Sequence, residues 1–177
     1  IHENKNLPHA LIFKGKEGIG KYNFAVKFAK SYLCQKTLSN HLPCEACSSC
    51  EWFPDVHPDF KHIAPIENED DELSKRKTVR KKNILIDQIR ELSEYLELSV
   101  HQEKGRRVVL IEPADSLNHA ASNALLKILE EPPENTLFIL VASQTQKLIA
   151  TIRSRCQLLD LRGPSLDEAK TFLIDQK

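Results

Sequence analysis

Four thiols fall within a stretch of seventeen residues, at Cys34, Cys44, Cys47 and Cys50, spaced C-x9-C-x2-C-x2-C. Two residues between cysteines bring both sulfurs onto one tight turn, where they can bind the same tetrahedral zinc at about 2.3 Å each. Four sulfur ligands leave no open position for water, so the expected role is structural: a metal holding a segment too polar to form its own core. Iron–sulfur ligation is the main rival, because C-x2-C-x2-C also occurs around such clusters. A redox C-x-x-C would use only two of the four thiols, and independent buried cysteines would not need the spacing. Zinc is the preferred reading. His41, His57 and His62 lie close in sequence. Each could substitute as a ligand, but surface or supporting positions are expected.

A second group of residues could hold phosphate. Gly15, Gly18 and Gly20 precede Lys21 and Tyr22 in GKEGIGKY, which matches G-x-x-x-x-G-K-[ST] up to its last position. Glycines let the backbone curl so that amide N–H groups face an anion, and the start of a following helix adds positive potential. Lys21 would then reach the outer phosphates of ATP or ADP. Tyr22 stands where a short hydroxyl would ligate Mg²⁺, and a phenol on a rigid ring is no substitute. The acids point the same way. After the apolar run VVLI an ATPase offers one acid for Mg²⁺ and the next to activate water; here those positions hold Glu112 and Pro113. Glu112 can still hold a metal, whereas Pro113 cannot act as a base. Asp115 follows two residues later, past a change in chain direction. Nucleotide binding stays open on Lys21, and hydrolysis is not expected.

These residues need a sheet to position them. Apolar runs at 10–13, 60–64, 108–111, 137–142 and 157–161 read as strands. Helix-period segments at 22–33, 84–98, 118–130 and 147–152 lie between them. Phe24, Phe28 and Leu33 can share a face with Ala25 and Ala29, and Ile86, Ile89, Leu92 and Leu96 form one stripe. VVLI and LFILVA are apolar throughout, as strands covered on both faces require. Pro132-Pro133 ends the third helix. Strands separated by helices give an α/β parallel sheet flanked by helices, with the cysteine segment inserted as a small zinc-binding module. The expected division is a P-loop domain over 1–162, with the zinc module at about 34–58, and the start of a helical lid domain over 163–177. Residues 67–82 run from an acidic block into a basic one and read as a solvated loop rather than a DNA contact.

Composition narrows the setting. The chain has 177 residues, 41% hydrophobic and 28% charged, with 25 basic against 25 acidic side chains. That balance removes any global field that would draw the chain onto nucleic acid. No apolar run approaches the roughly 20 residues that span a bilayer. The opening IHENKNLPHA lacks the pattern of a secretory signal, so no membrane association and a cytoplasmic location are expected. In a reducing compartment, five cysteines suggest metal rather than disulfides. The start at Ile1 and the lack of methionine lead us to expect a fragment.

From Asn123 the chain reads NALLKILEEPPENTLFILVAS, and later TIRSRCQLLDL, with His57-Pro-Asp-Phe60 after the cysteines. These segments resemble the AAA+ clamp-loader subunits of DNA polymerase III, over roughly residues 7–164. No general chemistry demands ALLKxLEEPP or Ser-Arg-Cys, which makes them more diagnostic than the glycine loop. The degenerate positions Tyr22, Glu112 and Pro113 resemble the delta-prime branch more than gamma and tau, whose ATPase motifs are intact; the retained Lys21 departs from its most degraded members. The resemblance implies an AAA+/RecA-like P-loop fold. It also implies a non-hydrolysing subunit of a polymerase holoenzyme (a nucleotidyltransferase) that works with gamma/tau and delta to load the sliding clamp on primed DNA. It implies that Arg155 of Ser154-Arg155-Cys156 is an arginine finger reaching a neighbour's ATP, with Arg153 as the control. Ser143 matches the polar sensor position. Cys156 is expected to be buried rather than a ligand or nucleophile. The collar domain that holds such rings together is expected beyond Lys177, leaving this fragment monomeric alone. An active gamma/tau-type ATPase and a zinc-dependent DNA-binding module are the alternatives.

Overall fold

The computed structural model describes residues 7–66, 83–99 and 105–164. Along the chain these form β1 (Ala10–Lys14), α1 (Lys21–Leu33), α2 (Ser48–Trp52), β2 (Phe60–Ile63) and α3 (Ile86–Glu97). They continue as β3 (Arg107–Ile111), α4 (His119–Glu130), β4 (Thr136–Ala142), α5 (Ala150–Arg155) and β5 (Gln157–Asp160). The five strands make one sheet in the order β2-β3-β4-β1-β5, and every pairing is parallel. Among the described residues no helix is long and apolar enough to cross a membrane.

Helices cover both faces, which is why β1, β3 and β4 read as unbroken apolar runs. Successive side chains alternate between faces. On one face Ile12, Val109, Ile111, Phe138 and Leu140 pack with Ile89 and Leu92 of α3, Leu125 and Leu129 of α4 and Ile152 of α5. On the other, Leu11, Phe13, Val108, Leu110, Leu137 and Ile139 pack with Ala25, Ala29 and Leu33 of α1. Fully burying one such Leu, Ile or Phe contributes about 1.5–3 kcal/mol.

The five expected strands and the four helices between them form, with some differences. The α1 face is narrower than its pattern suggested. Ala25, Ala29 and Leu33 meet the sheet, while Phe24 is 46% exposed. Small alanines let the helix approach closely, and Phe24 lies on its flank, its ring 5.3 Å from that of Phe13. The helix foreseen at 147–152 starts later, because Thr145–Lys147 form a 3-10 turn and Ile149 is extended. As a result α5 carries Arg153 and Arg155 in its last turn. The five-residue α2, inside the cysteine segment, has no counterpart in the sequence reading. Arg107 is also unforeseen: it is buried within β3 and donates to the Leu96 and Leu98 carbonyls at 3.0 and 2.7 Å, closing the C-terminal end of α3. The charged segment 67–82 and most of the expected lid, 165–177, lie outside the described residues.

Candidate functional site

The cysteine segment folds around its sulfurs. Cys34 ends α1, Cys47 precedes α2 and Cys50 lies within it, while Cys44 comes from the intervening loop. All four Sγ atoms lie within 4.8 Å of one another, with Cys34–Cys47 and Cys44–Cys50 each at 4.0 Å. A tetrahedral site with metal–sulfur bonds of about 2.3 Å needs sulfurs about 3.8 Å apart. The donors are therefore compatible with a structural metal site. Burial resists ionisation of Cys47, but backbone groups at Gln35 and Cys50 and neighbouring thiols outweigh it and bring the thiol down to about 6. Burial and the same crowding push Cys50 up to about 12. Such a set gives up its protons most readily to a cation that all four can share.

The loop is fixed to its surroundings by polar contacts. Lys30 pairs with Glu45, and the Ser31 hydroxyl donates to the His41 carbonyl. None of the three nearby histidines joins the sulfurs. His57 Nδ1 accepts from the Asp59 N–H at 3.1 Å, so its proton sits on Nε2 and is donated to Ser49 Oγ at 2.9 Å. Ser49 in turn donates to the Leu33 carbonyl at 2.9 Å. Burial holds the His57 pKa below its usual range, with Asp59 opposing. A neutral imidazole already spending its N–H on the serine cannot activate it, so this chain of bonds is structural.

The glycine loop joins β1 to α1. Gly18 and Gly20 adopt φ of 79° and 83°, which a side chain would strain. A Cβ on Gly15 would lie 2.5 Å from Ile19 Cδ1 and 2.7 Å from the Leu161 carbonyl oxygen. Lys21 is 8% exposed and turns inward, donating from Nζ to the Lys16 carbonyl at 2.7 Å and to Ser143 Oγ at 2.9 Å. Ser143, just past β4, also gives its N–H to Asp115 Oδ1 at 3.4 Å. Burial raises the Glu112 pKa, Lys21 pulls it back, and Asp115 adds to the rise. Lys21, Glu112, Asp115 and Ser143 thus gather where β1, β3 and β4 end, the edge at which open parallel sheets bind ligands. Asp115 reaches this group despite the change of direction read from the sequence, because a 3-10 turn over Ala114–Ser116 carries it back. Tyr22 packs beside His62 of β2, ring centroids 5.3 Å apart. Beside the loop, a cleft of about 370 Å³ is lined by Ile19, Lys21, Phe24 and Arg162 among others.

Arg155 stands apart from this group. Its Nη2 pairs with Glu130 Oε1 at 2.7 Å and its Nη1 donates to the Thr151 carbonyl at 3.2 Å. Arg153 is exposed. Cys156 packs partly against the core, and burial pushes its thiol up to about 11, as an inert residue requires. Sequence reasoning missed Glu130; its place in LEEPP marked it, but nothing local paired it with an arginine 25 residues away.

A family model described as DNA polymerase III, delta subunit, matches residues 1–165. The chain is 34% identical over 166 residues to a DNA polymerase III subunit delta' from Haemophilus influenzae, covering 93% of this chain and 46% of that protein. It is 38% identical over 149 residues to the subunit delta' of Pseudomonas aeruginosa, covering 84% of this chain and 41% of the relative. The chain therefore spans under half the length of these curated relatives. Its structure is similar to that of a DNA polymerase III gamma subunit-related protein from Thermotoga maritima, with a TM-score of 0.63 at 24% identity, over 98% of this chain and 46% of that one. At that identity the likeness concerns the fold.

Proposed function

This chain belongs to the DNA polymerase III delta-subunit family, and from that premise we propose that it is part of a non-hydrolysing clamp-loader subunit. In this reading it helps load a sliding clamp onto primed DNA in the cytoplasm, alongside gamma/tau and delta subunits, and lends Arg155 to a neighbour's ATP site. A guanidinium suits that task because it stays charged and can fork onto phosphate oxygens as charge develops. The described part of 1–162 is the proposed P-loop domain, and the lid expected from residue 163 lies almost wholly outside the described residues.

The observation that carries the silent part is local to α1. The residue after Lys21 is Tyr22, whose ring packs beside His62 and which carries no short hydroxyl for Mg²⁺. Pro113 occupies the position of the base. Lys21 bonds within its own loop and to Ser143, which an incoming phosphate would have to displace. Cys34, Cys44, Cys47 and Cys50 would hold zinc, which when bound closes the loop as a structural staple. Their thiolates draw the end of α1, the loop and α2 together, and no step of ATP chemistry passes through them.

Reconstitution of the full-length subunit with its ATPase partners tests the reading. Arg155→Ala should lower DNA- and clamp-stimulated ATPase while Arg153→Ala leaves it near wild type; equal rates in both would refute the finger. The retained Lys21 and glycine loop favour one second reading, an active gamma/tau-type ATPase. Turnover of Mg-ATP by the subunit alone, abolished by Lys21→Ala, would establish that instead. The charge balance of 25 against 25 speaks against a stand-alone DNA-binding module.

A further inference from the structure

Arg155 is held from two helices at once. On α5, where it is the last residue, its guanidinium turns back onto the Thr151 carbonyl, which suits a cation at the negative end of a helix. Across the gap, Glu130 Oε1 takes the other terminal nitrogen at 2.7 Å. Glu130 is the last residue of α4, and Pro132-Pro133 prevents that helix from continuing. A carboxylate at a helix C-terminus is placed unfavourably unless a cation faces it. The two charges thus answer each other's placement.

We infer that Glu130 is a positioning residue: its carboxylate fixes the direction in which Arg155 presents its guanidinium to an anionic ligand, the phosphates of a nucleotide on a neighbouring subunit. The inference rests on the proposed role of Arg155. A guanidinium carries more N–H donors than these two bonds use, so it can stay clasped while it donates to phosphate. Arginine is a long, rotamer-rich side chain, and ordering it only at the moment of reaction would slow the step it assists. The clasp orders it beforehand. Stability is not its main effect, because the two side chains are 35% and 44% exposed and pairs of that kind contribute little to folding.

The test uses the full-length subunit in the reconstituted loader, with ATPase measured under stimulation by primed DNA and clamp. Glu130→Ala should lower kcat roughly three- to tenfold, the scale of freeing one such side chain, and leave the KM for ATP unchanged. Glu130→Gln, which keeps an acceptor for Nη2, should recover part of the loss. In an Arg155→Ala background, Glu130→Ala should have no further effect. If Arg155→Ala slows the complex while Glu130→Ala runs at or above the wild-type rate, the positioning role is overturned and the finger survives. The same follows if Glu130→Ala slows both backgrounds equally. If Arg155→Ala itself changes nothing, both readings fall together.

Discussion

Replacing Ser49 by alanine should destabilise the protein far more than a serine usually would. Its hydroxyl accepts the His57 Nε2–H and donates to the Leu33 carbonyl, each at 2.9 Å, with Ser49 1% and His57 4% exposed. Removing it breaks two buried hydrogen bonds, each contributing about 0.5–1.5 kcal/mol. The net loss should be about 1–3 kcal/mol. With a urea m-value of about 1–3 kcal/mol/M, the midpoint should move down by roughly 1 M at unchanged m. Circular dichroism during urea titration reads this directly. Because the bond chain joins the end of α1 to the residues before β2, near-ultraviolet signals from Trp52 should weaken at lower urea than in wild type. A midpoint shift below about 0.3 M would mean that the serine carries no such load, and the reasoning about this bond chain would be wrong.

Further outcomes can be checked independently. Protein purified without added metal should contain one zinc per chain, and Cys47→Ser should reduce it sharply with loss of the loop's protease resistance; iron in place of zinc would overturn the assignment. Gly15→Ala places a methyl 2.7 Å from the Leu161 carbonyl and should cost about 1–3 kcal/mol in thermal melts, since backbone yields less easily than the Ile19 side chain. Burial lowers the His57 pKa against the opposing pull of Asp59, and with the ring 4% exposed its neutral form is favoured in the fold. The unfolded chain then binds more protons, and the contribution of His57, complete above about 6.5, fades as pH falls through the lower folded value. Wild type should lose melting temperature between pH 7.5 and pH 5.5 more steeply than His57→Gln; parallel slopes would contradict the burial argument.

Much of the fold was legible because a parallel sheet covered on both faces demands strands apolar throughout, and VVLI and LFILVA satisfy that without ambiguity. The cysteine cluster was equally plain, since four thiols at short spacing leave few ways to arrange themselves. What stayed hidden depended on distant partners. Lys21 is met by Ser143, 122 residues away, and Arg155 by Glu130 on another helix. Phe24 looked like a core residue by its periodicity, but two alanines beside it let α1 approach the sheet and left the ring on the flank. His57 looked like a possible ligand, and only its bonds to Ser49 and the Asp59 N–H reveal a structural role. The short α2 has too few residues for any period to register.

In the proposed function, Arg155 serves a site outside its own chain. The most direct measurement is single-turnover ATP hydrolysis by the reconstituted full-length complex on primed DNA with clamp, comparing Arg155→Ala with wild type. A finger supplied in trans accounts for about 10³–10⁵ in rate at the site it reaches in related phosphoryl-transfer systems. In Arg155→Ala, one class of ATP in the complex should lose its fast phase while nucleotide binding and complex assembly persist. An unchanged fast phase in an intact Arg155→Ala complex would contradict it.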